Sequence, residues 1–325
     1  LGDVYKRQVE FLSAALSSDM DDSDRVRLLL DDCKNFEIDI LKPDVNKSQL
    51  NFVNQGDNEI LYGLGAVKGL GKAAIENIIS EREQKPFENL YDFCARVDLS
   101  KVDKRGIEPL IKCGAMDSFN LSRKEMLESL EDAMKYAKQN TMTQESGISD
   151  LFGGISESND FIPVKKDKYD DFANSKFEFS ALGFYLEAHP VKEHYWELKK
   201  LGTGSIENVM EERVNTISGV IIRQNRIQTR RGPLVFATLD DGTDRIELVI
   251  SSEVLDSFEG NLNPQTIYIA SGDVTFEKDT QKKNIGLQKK MRVTDIKSLE
   301  EARMKSVTKL KINIEGQEKK DVLDI

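Results

Sequence analysis

Through about residue 201 the apolar positions recur every three or four residues, and from Thr216 onward they alternate with polar ones. Residues 9–16 predict a short apolar helix. Ser18-Asp19-Met20-Asp21-Asp22-Ser23 breaks it, and Val26, Leu29, Leu30 and Cys33 then share one face of a second helix. Residues 38–46 read as extended chain stopped at Pro43, and residues 49–54 and 59–62 bracket Gln55-Gly56-Asp57-Asn58, a hairpin signal. Helices are predicted from there to about Gln139. One covers residues 101–113 and ends at Gly114; the next opens at Ser122, with Glu125 three residues on as a capping box. Between 139 and 168 the period is lost and Ser, Gly, Asn, Asp and Thr predominate, which marks a linker. Residues 180–201 give helix, break at His189-Pro190, and helix. Alternating runs at 217–222, 234–240, 245–250, 266–274 and 284–293 predict five strands, with a short helix at 254–258. Five strands with a helix there predict a small Greek-key barrel, the OB-fold, so the expected class is multi-domain α+β: a helical region, then a barrel.

The run from Tyr62 to Ile79 carries the most chemistry. Gly69-Leu70-Gly71 predicts a tight turn that another surface can approach closely, and Leu70, Ala74 or Ile75, Ile78 and Ile79 put one apolar face on the helix that follows. Free N–H groups and the positive dipole end at that helix start suit a phosphate, and Lys68 and Lys72 add charge. This is a helix-hairpin-helix pattern, a sequence-independent grip on a DNA backbone. The same glycines fit a dinucleotide fingerprint, but Leu90-Tyr91-Asp92-Phe93-Cys94 reads as helix where an acidic strand end is needed. A phosphate-binding loop would need Gly at 66 and Ser or Thr at 73, where the chain has Ala66 and Ala73. A plain glycine turn between packed helices is the blander alternative. Residues 101–125 read as a degenerate second copy, weakened by Gly106 and Pro109, or equally as a simple helix pair.

The chain has 325 residues and a net charge of −11, so any nucleic-acid contact must come from local basic faces against an opposing overall field. One such strip is the barrel's first hairpin. No acid lies between Arg213 and Asp240, while Arg223, Arg226, Arg230 and Arg231 do, with Phe236, Tyr268 and Phe276 as rings for stacking. A solvated arginine hairpin with Phe236 in the core is the alternative. Leu151-Phe152, an apolar pair in a polar linker, points to a partner's pocket or to packing back on the helices. Cys33, Cys94 and Cys113 match no zinc or redox spacing and are expected to be reduced thiols of a cytoplasmic protein. His189 and His194 lack partners at ligand spacing, and Asp19, Asp21, Asp22 and Asp24 sit where acids favour a helix N-terminus, so neither a metal site nor a catalytic set is expected. No apolar run is long enough to span a membrane.

From Val9 to about Glu300 the chain resembles the C-terminal half of bacterial DNA polymerase III alpha subunits, the replicative polymerases. The matching stretches are VEFLSAALSSDM (9–20), EILYGLGAVKGLGKAAIENII (59–79), LYDFCARVDL (90–99), KRGIEPLIKCGAMDSF (104–119), SDLFGG (149–154), ALGFYLEAHPV (181–191) and LDDGTDRIELVI (239–250), in family order. The resemblance implies that residues 9–60 end the polymerase fingers. Residues 61–140 would be a tandem helix-hairpin-helix holding duplex DNA at Lys68, Gly69, Leu70, Gly71, Lys72 and Gly114. The linker, 141–168, would carry a sliding-clamp (beta) motif at Ile148, Asp150, Leu151 and Phe152, with Ile148 where the family usually has Gln. Residues 169–212 would connect to an OB barrel at 213–297 that binds single-stranded template through Arg223, Arg226, Arg230, Arg231 and Phe236. Residues 298–325 would begin the domain for the clamp-loader tau subunit. The palm, with its aspartates and Mg²⁺, would lie upstream, so these residues are expected to have no cofactor and no nucleotidyl transfer of their own. A stand-alone DNA-binding adaptor is the alternative. The first eight residues, LGDVYKRQ, resemble a translated transposon adapter and are set aside, which reads the chain as an internal fragment.

Overall fold

The computed structural model describes residues 7–145, 171–187, 189–211, 213–230, 232–258, 262–278 and 287–306. They fall into two compact units, Leu1–His189 and Pro190–Ile325.

In the first unit, α1 (Gln8–Ser18) buries Val9, Leu12 and Leu16, and α2 (Ser23–Asn35) buries Val26, Leu30 and Cys33. The acidic break between them works locally. Asp22 accepts the N–H groups of Asp24 and Arg25, closing the start of α2, and Asp19 pairs with Arg25 at 2.9 Å. The extended segment is a short strand, β1 (Asp39–Leu41), parallel to β3 (Glu59–Leu61). β3 pairs antiparallel with β2 (Val53–Asn54) across the predicted hairpin. A 3₁₀ turn (Leu64–Ala66) then leads to α3 (Lys72–Gln84), α4 (Leu90–Arg96), α5 (Lys104–Lys112) and α6 (Arg123–Glu145). Because 90–96 is helical, no acidic strand end exists there for a dinucleotide ribose.

α7 (Asp171–Leu182) belongs to this same unit. Ala181, Leu182 and Phe184 join the core built from Tyr62, Val67, Ile75 and Leu110, and the Phe184 ring stands 6.4 Å from that of Tyr62. The chain therefore leaves α6, crosses residues 146–170 and returns to the helical core. Periodicity alone does not show such a return.

The second unit begins with α8 (Pro190–Glu193) and α9 (Tyr195–Lys200) and closes a barrel of β4 (Val214–Thr229), β5 (Gly232–Asp240), β6 (Arg245–Ile250), β7 (Ile267–Lys278) and β8 (Leu287–Ser298). The strand order is β4-β5-β6-β8-β7, with β6 and β8 parallel and the other neighbours antiparallel. Alternate residues fill it: Val235, Ala237 and Leu239 from β5, Ile246, Leu248 and Ile250 from β6, Met291 and Val293 from β8. Each large aliphatic buried this way contributes about 1.5–3 kcal/mol. A helix (α10, Ser252–Ser257) lies between the third and fourth strands, as the sequence predicts, and α11 (Leu299–Ser306) follows the barrel. The strands outrun the alternating pattern. β4 continues to Thr229 because its polar end is held by pairing with β5, not by core burial. Among the described residues no helix is long and apolar enough to cross a membrane.

Candidate nucleic-acid interface

The first glycine turn is open on one side and anchored on the other. Gly69 has φ +82°, a conformation that favours glycine, and a Cβ there would stand 3.5 Å from the Arg105 carbonyl oxygen. Pro109, four residues after Arg105, has no N–H to give that carbonyl. Leu70 is buried and packs on Gly106, so it holds the turn down and does not face a ligand. Gly71 has φ −80°, open to any residue, and nothing lies within 4 Å of where its Cβ would be. Its value is the close approach it leaves to an outside partner. The Lys68 N–H is taken by the Ala181 carbonyl at 2.9 Å, while those of Gly69, Gly71, Lys72 and Ala73 meet no acceptor among the described residues. The start of the 13-residue α3 therefore presents several donors and its dipole to solvent. Lys72 is exposed, with only a 3.8 Å surface contact to Glu76. Lys68 is also exposed, but its ammonium lies over Gly183. Arg105, whose carbonyl the packing of α5 sets against Gly69 and whose side chain is exposed, is a nearby cation that the glycine motif did not point to. Only the fold brings residues 69 and 105 together.

The second turn is closed. Gly114 has φ +81° and is buried; a Cβ there would collide with the Arg123 guanidinium and stand 2.8 Å from Asp117. It ends α5, with the N–H groups of Gly114 and Ala115 returning to Ile111 and Leu110. The start of α6 is satisfied by its own side chains. The Ser122 N–H donates to Glu125 at 2.7 Å, and the Glu125 N–H donates to the Ser122 hydroxyl at 3.2 Å. Around it Arg123 bridges Asp117 and Glu187, Lys42 meets the same two carboxylates, and Glu178 lies buried below. Burial pushes Glu178 up to about 7, against the N–H groups of Leu186 and Glu187 that donate to it. Gly114, expected as a DNA contact, is buried here and ends α5.

On the barrel, register decides which side chains share a face. Asn225, Phe236, Val249 and Arg292 lie directly opposite one another on β4, β5, β6 and β8. The adjacent row is Arg223, Thr238, Glu247 and Lys290. Both rows lie outside, since Val235, Ala237 and Leu239 point inward. Phe236 is half-buried there, and Arg292 is exposed, about 10 Å away across two strand spacings, with no ionic partner among the described residues. Lys290 is held by Glu277 at 2.7 Å and Glu247 at 3.5 Å.

Arg223 opposes Thr238 while Arg226 opposes Val235, so the two leave opposite faces of the ribbon; Arg230 is exposed at its tip. Tyr268 is buried, its hydroxyl accepting the Asn263 N–H at 2.7 Å, and Phe276 packs against the barrel core, which leaves Phe236 as the stacking ring of the three. Arg292 was missed because the parallel β6–β8 pairing has no signature in the local pattern. Arg231 and the clamp-motif residues Ile148, Asp150, Leu151 and Phe152 lie outside the described residues. Among the described residues no group of three His, Cys, Asp or Glu side chains is placed to hold a metal.

A family described as "Helix-hairpin-helix motif" matches residues 37–126, and one described as "OB-fold nucleic acid binding domain" matches residues 216–299. The chain is 34% identical over 313 residues to DNA polymerase III subunit alpha of Vibrio cholerae serotype O1, covering 94% of this chain and 26% of that protein. It is 32% identical over 323 residues to the subunit of the same name from Escherichia coli strain K12, covering 97% of this chain and 27% of that one. The chain spans about a quarter of the length of these relatives. A solved single-stranded DNA-binding protein from Streptomyces coelicolor aligns at 14% identity over 27% of this chain and 94% of its own, at a TM-score of 0.23, and adds nothing to the fold already described.

Proposed function

Because the chain is homologous, over nearly all of its own length, to about a quarter of DNA polymerase III subunit alpha, we propose that it is a DNA-binding portion of a replicative DNA polymerase. The helical unit grips the duplex backbone through the turn at 69–73, where N–H groups without an acceptor among the described residues, the α3 dipole and Lys72 come together beside the open Gly71, with Arg105 exposed on the neighbouring helix. That open turn is the observation that carries the proposal. The barrel tracks single strand along the outer rows of Phe236, Arg292 and Arg223, one ring to stack a base and two cations to meet phosphates.

The test is a fluorescence-anisotropy titration of labelled duplexes of unrelated sequence at several salt concentrations. Equal affinities that fall with salt are expected, since phosphate contacts carry no base information. Sequence-selective or salt-independent binding would remove the hairpin assignment.

Two partners belong to the same proposal: the clamp, supported by the resemblance of SDLFGG (149–154) to the family, and the tau subunit, which the family's domain order implies for the residues after about 298. Leu151 and Phe152 enter an apolar groove of a sliding clamp, flanked by Ile148 and Asp150, and the last residues lead toward a clamp-loader tau subunit. Replacing both Leu151 and Phe152 by Ala abolishes clamp binding on this reading, and Ile148→Gln tightens it; a titration against the cognate clamp decides. Nucleotidyl transfer, with its Mg²⁺, is assigned to other parts of a polymerase.

A further inference from the structure

Ahead of the barrel, residues 190–200 hold an aromatic feature that the barrel's outer face does not use. Trp196, the chain's one tryptophan, is 72% exposed, and Tyr195 beside it is 50% exposed. Their rings stand 5.2 Å apart at 74°, and the Lys199 ammonium lies 5.5 Å from the Trp196 ring centre and 5.7 Å from that of Tyr195. Rings of this size ordinarily bury on the order of 150–250 Å² each. The helix carrying them is firmly seated: Leu198 is buried, and Glu197 receives both prongs of the Arg303 guanidinium at 2.6 and 2.7 Å. That contact also neutralises the one carboxylate of α9. In residues 190–200, Lys192, Lys199 and Lys200 are exposed beside a single exposed acid, Glu193, so the local balance is cationic in a chain of net charge −11. No aliphatic side chain of this segment extends the patch, because Val191 and Leu198 are buried. A protein-facing hot spot is ordinarily embedded in a wider packed surface. Two exposed rings with Lys199 beside both match instead a platform for stacked bases and their phosphates.

We propose that Tyr195, Trp196 and Lys199 form a second single-strand binding point on the barrel unit. One base stacks on Trp196, and Lys199 and Lys200 meet the flanking phosphates. This goes beyond the reading of the barrel face and uses none of its residues.

Trp196 emission from the whole chain reports on this point alone. Titration with oligo(dT) should quench it in step with the anisotropy of a labelled oligomer. Trp196→Ala should weaken binding roughly tenfold, and Trp196→Phe should recover part of the loss. Lys199→Glu should weaken binding and flatten its salt dependence. Because these side chains are exposed, circular dichroism melts should match the parent. Phe236→Ala separates the two readings: it should lower affinity while leaving the quench at saturation intact. If the oligomer binds with emission unchanged and Trp196→Ala binds as the parent does, the platform is wrong, the barrel reading stands, and the ring pair is a surface for protein. If no oligomer binds at all, both readings fail.

Discussion

The two glycine turns of the helical unit look alike in sequence and are opposite in structure. Each has a glycine with φ near +80° and leads into a helix, yet at the first the N–H groups of Gly69, Gly71, Lys72 and Ala73 meet no acceptor among the described residues, whereas at the second Ser122 and Glu125 cap each other. At the second, the Glu125 carboxylate takes the Ser122 N–H, and Arg123 covers the glycine. A turn that binds differs from one that folds by whether its donors are already used.

The largest break in the comparison is expected from Gly114→Val. The left-handed backbone and the collision with Arg123 should cost the helical unit on the order of 3 kcal/mol, read by urea denaturation. A stability equal to the parent's would mean the second turn is as open as the first.

Glu178, under the second turn, should give the unit a pH dependence. Its folded value of about 7 lies above the ordinary 4.5, chiefly through burial. Its contribution is therefore fully present below about 4.5 and is lost as pH rises through about 7. Glu178→Gln should flatten that slope and stabilise the unit at pH 8 by about 2 kcal/mol. Melts across pH 4–8 that are parallel in parent and variant would count against this.

Gly71→Val should cost no more than about 1 kcal/mol, the loss of glycine's N-cap preference, since its φ suits any residue and its Cβ points into open space. Duplex affinity should fall about tenfold, some 1.4 kcal/mol, for every sequence alike. Unchanged affinity would dissolve the distinction between the turns. Ser122→Ala should do the reverse, costing about 1 kcal/mol of stability through the lost cap without touching DNA binding. The smallest effect is expected from Arg105→Gln, which should reduce the slope of log affinity against log salt by about 0.9.

Much of this was legible in the chain. The period change near Thr216, the capping box at Ser122 and Glu125, the caps after the acidic break and the helix between the third and fourth strands all appear where local pattern placed them. The first turn was legible as well, because glycine spacing and a following amphipathic helix are local facts. The candidate site was legible only in part. Lys72 stayed where the sequence put it, while Leu70, Gly114 and Tyr268 proved to be packing residues and Arg223 and Arg226 parted to opposite faces.

By itself, then, the sequence determined the elements, their order and the two kinds of region, because helix period, strand alternation and capping act over a few residues. The tertiary structure alone decided that Arg123 covers Gly114 while Gly71 stays open, that α7 returns to complete the helical core, and that Arg105 and Arg292 stand near the candidate contacts. Those outcomes depend on burial and strand register between residues far apart in the chain, and no local pattern encodes which of two equivalent glycines will be covered.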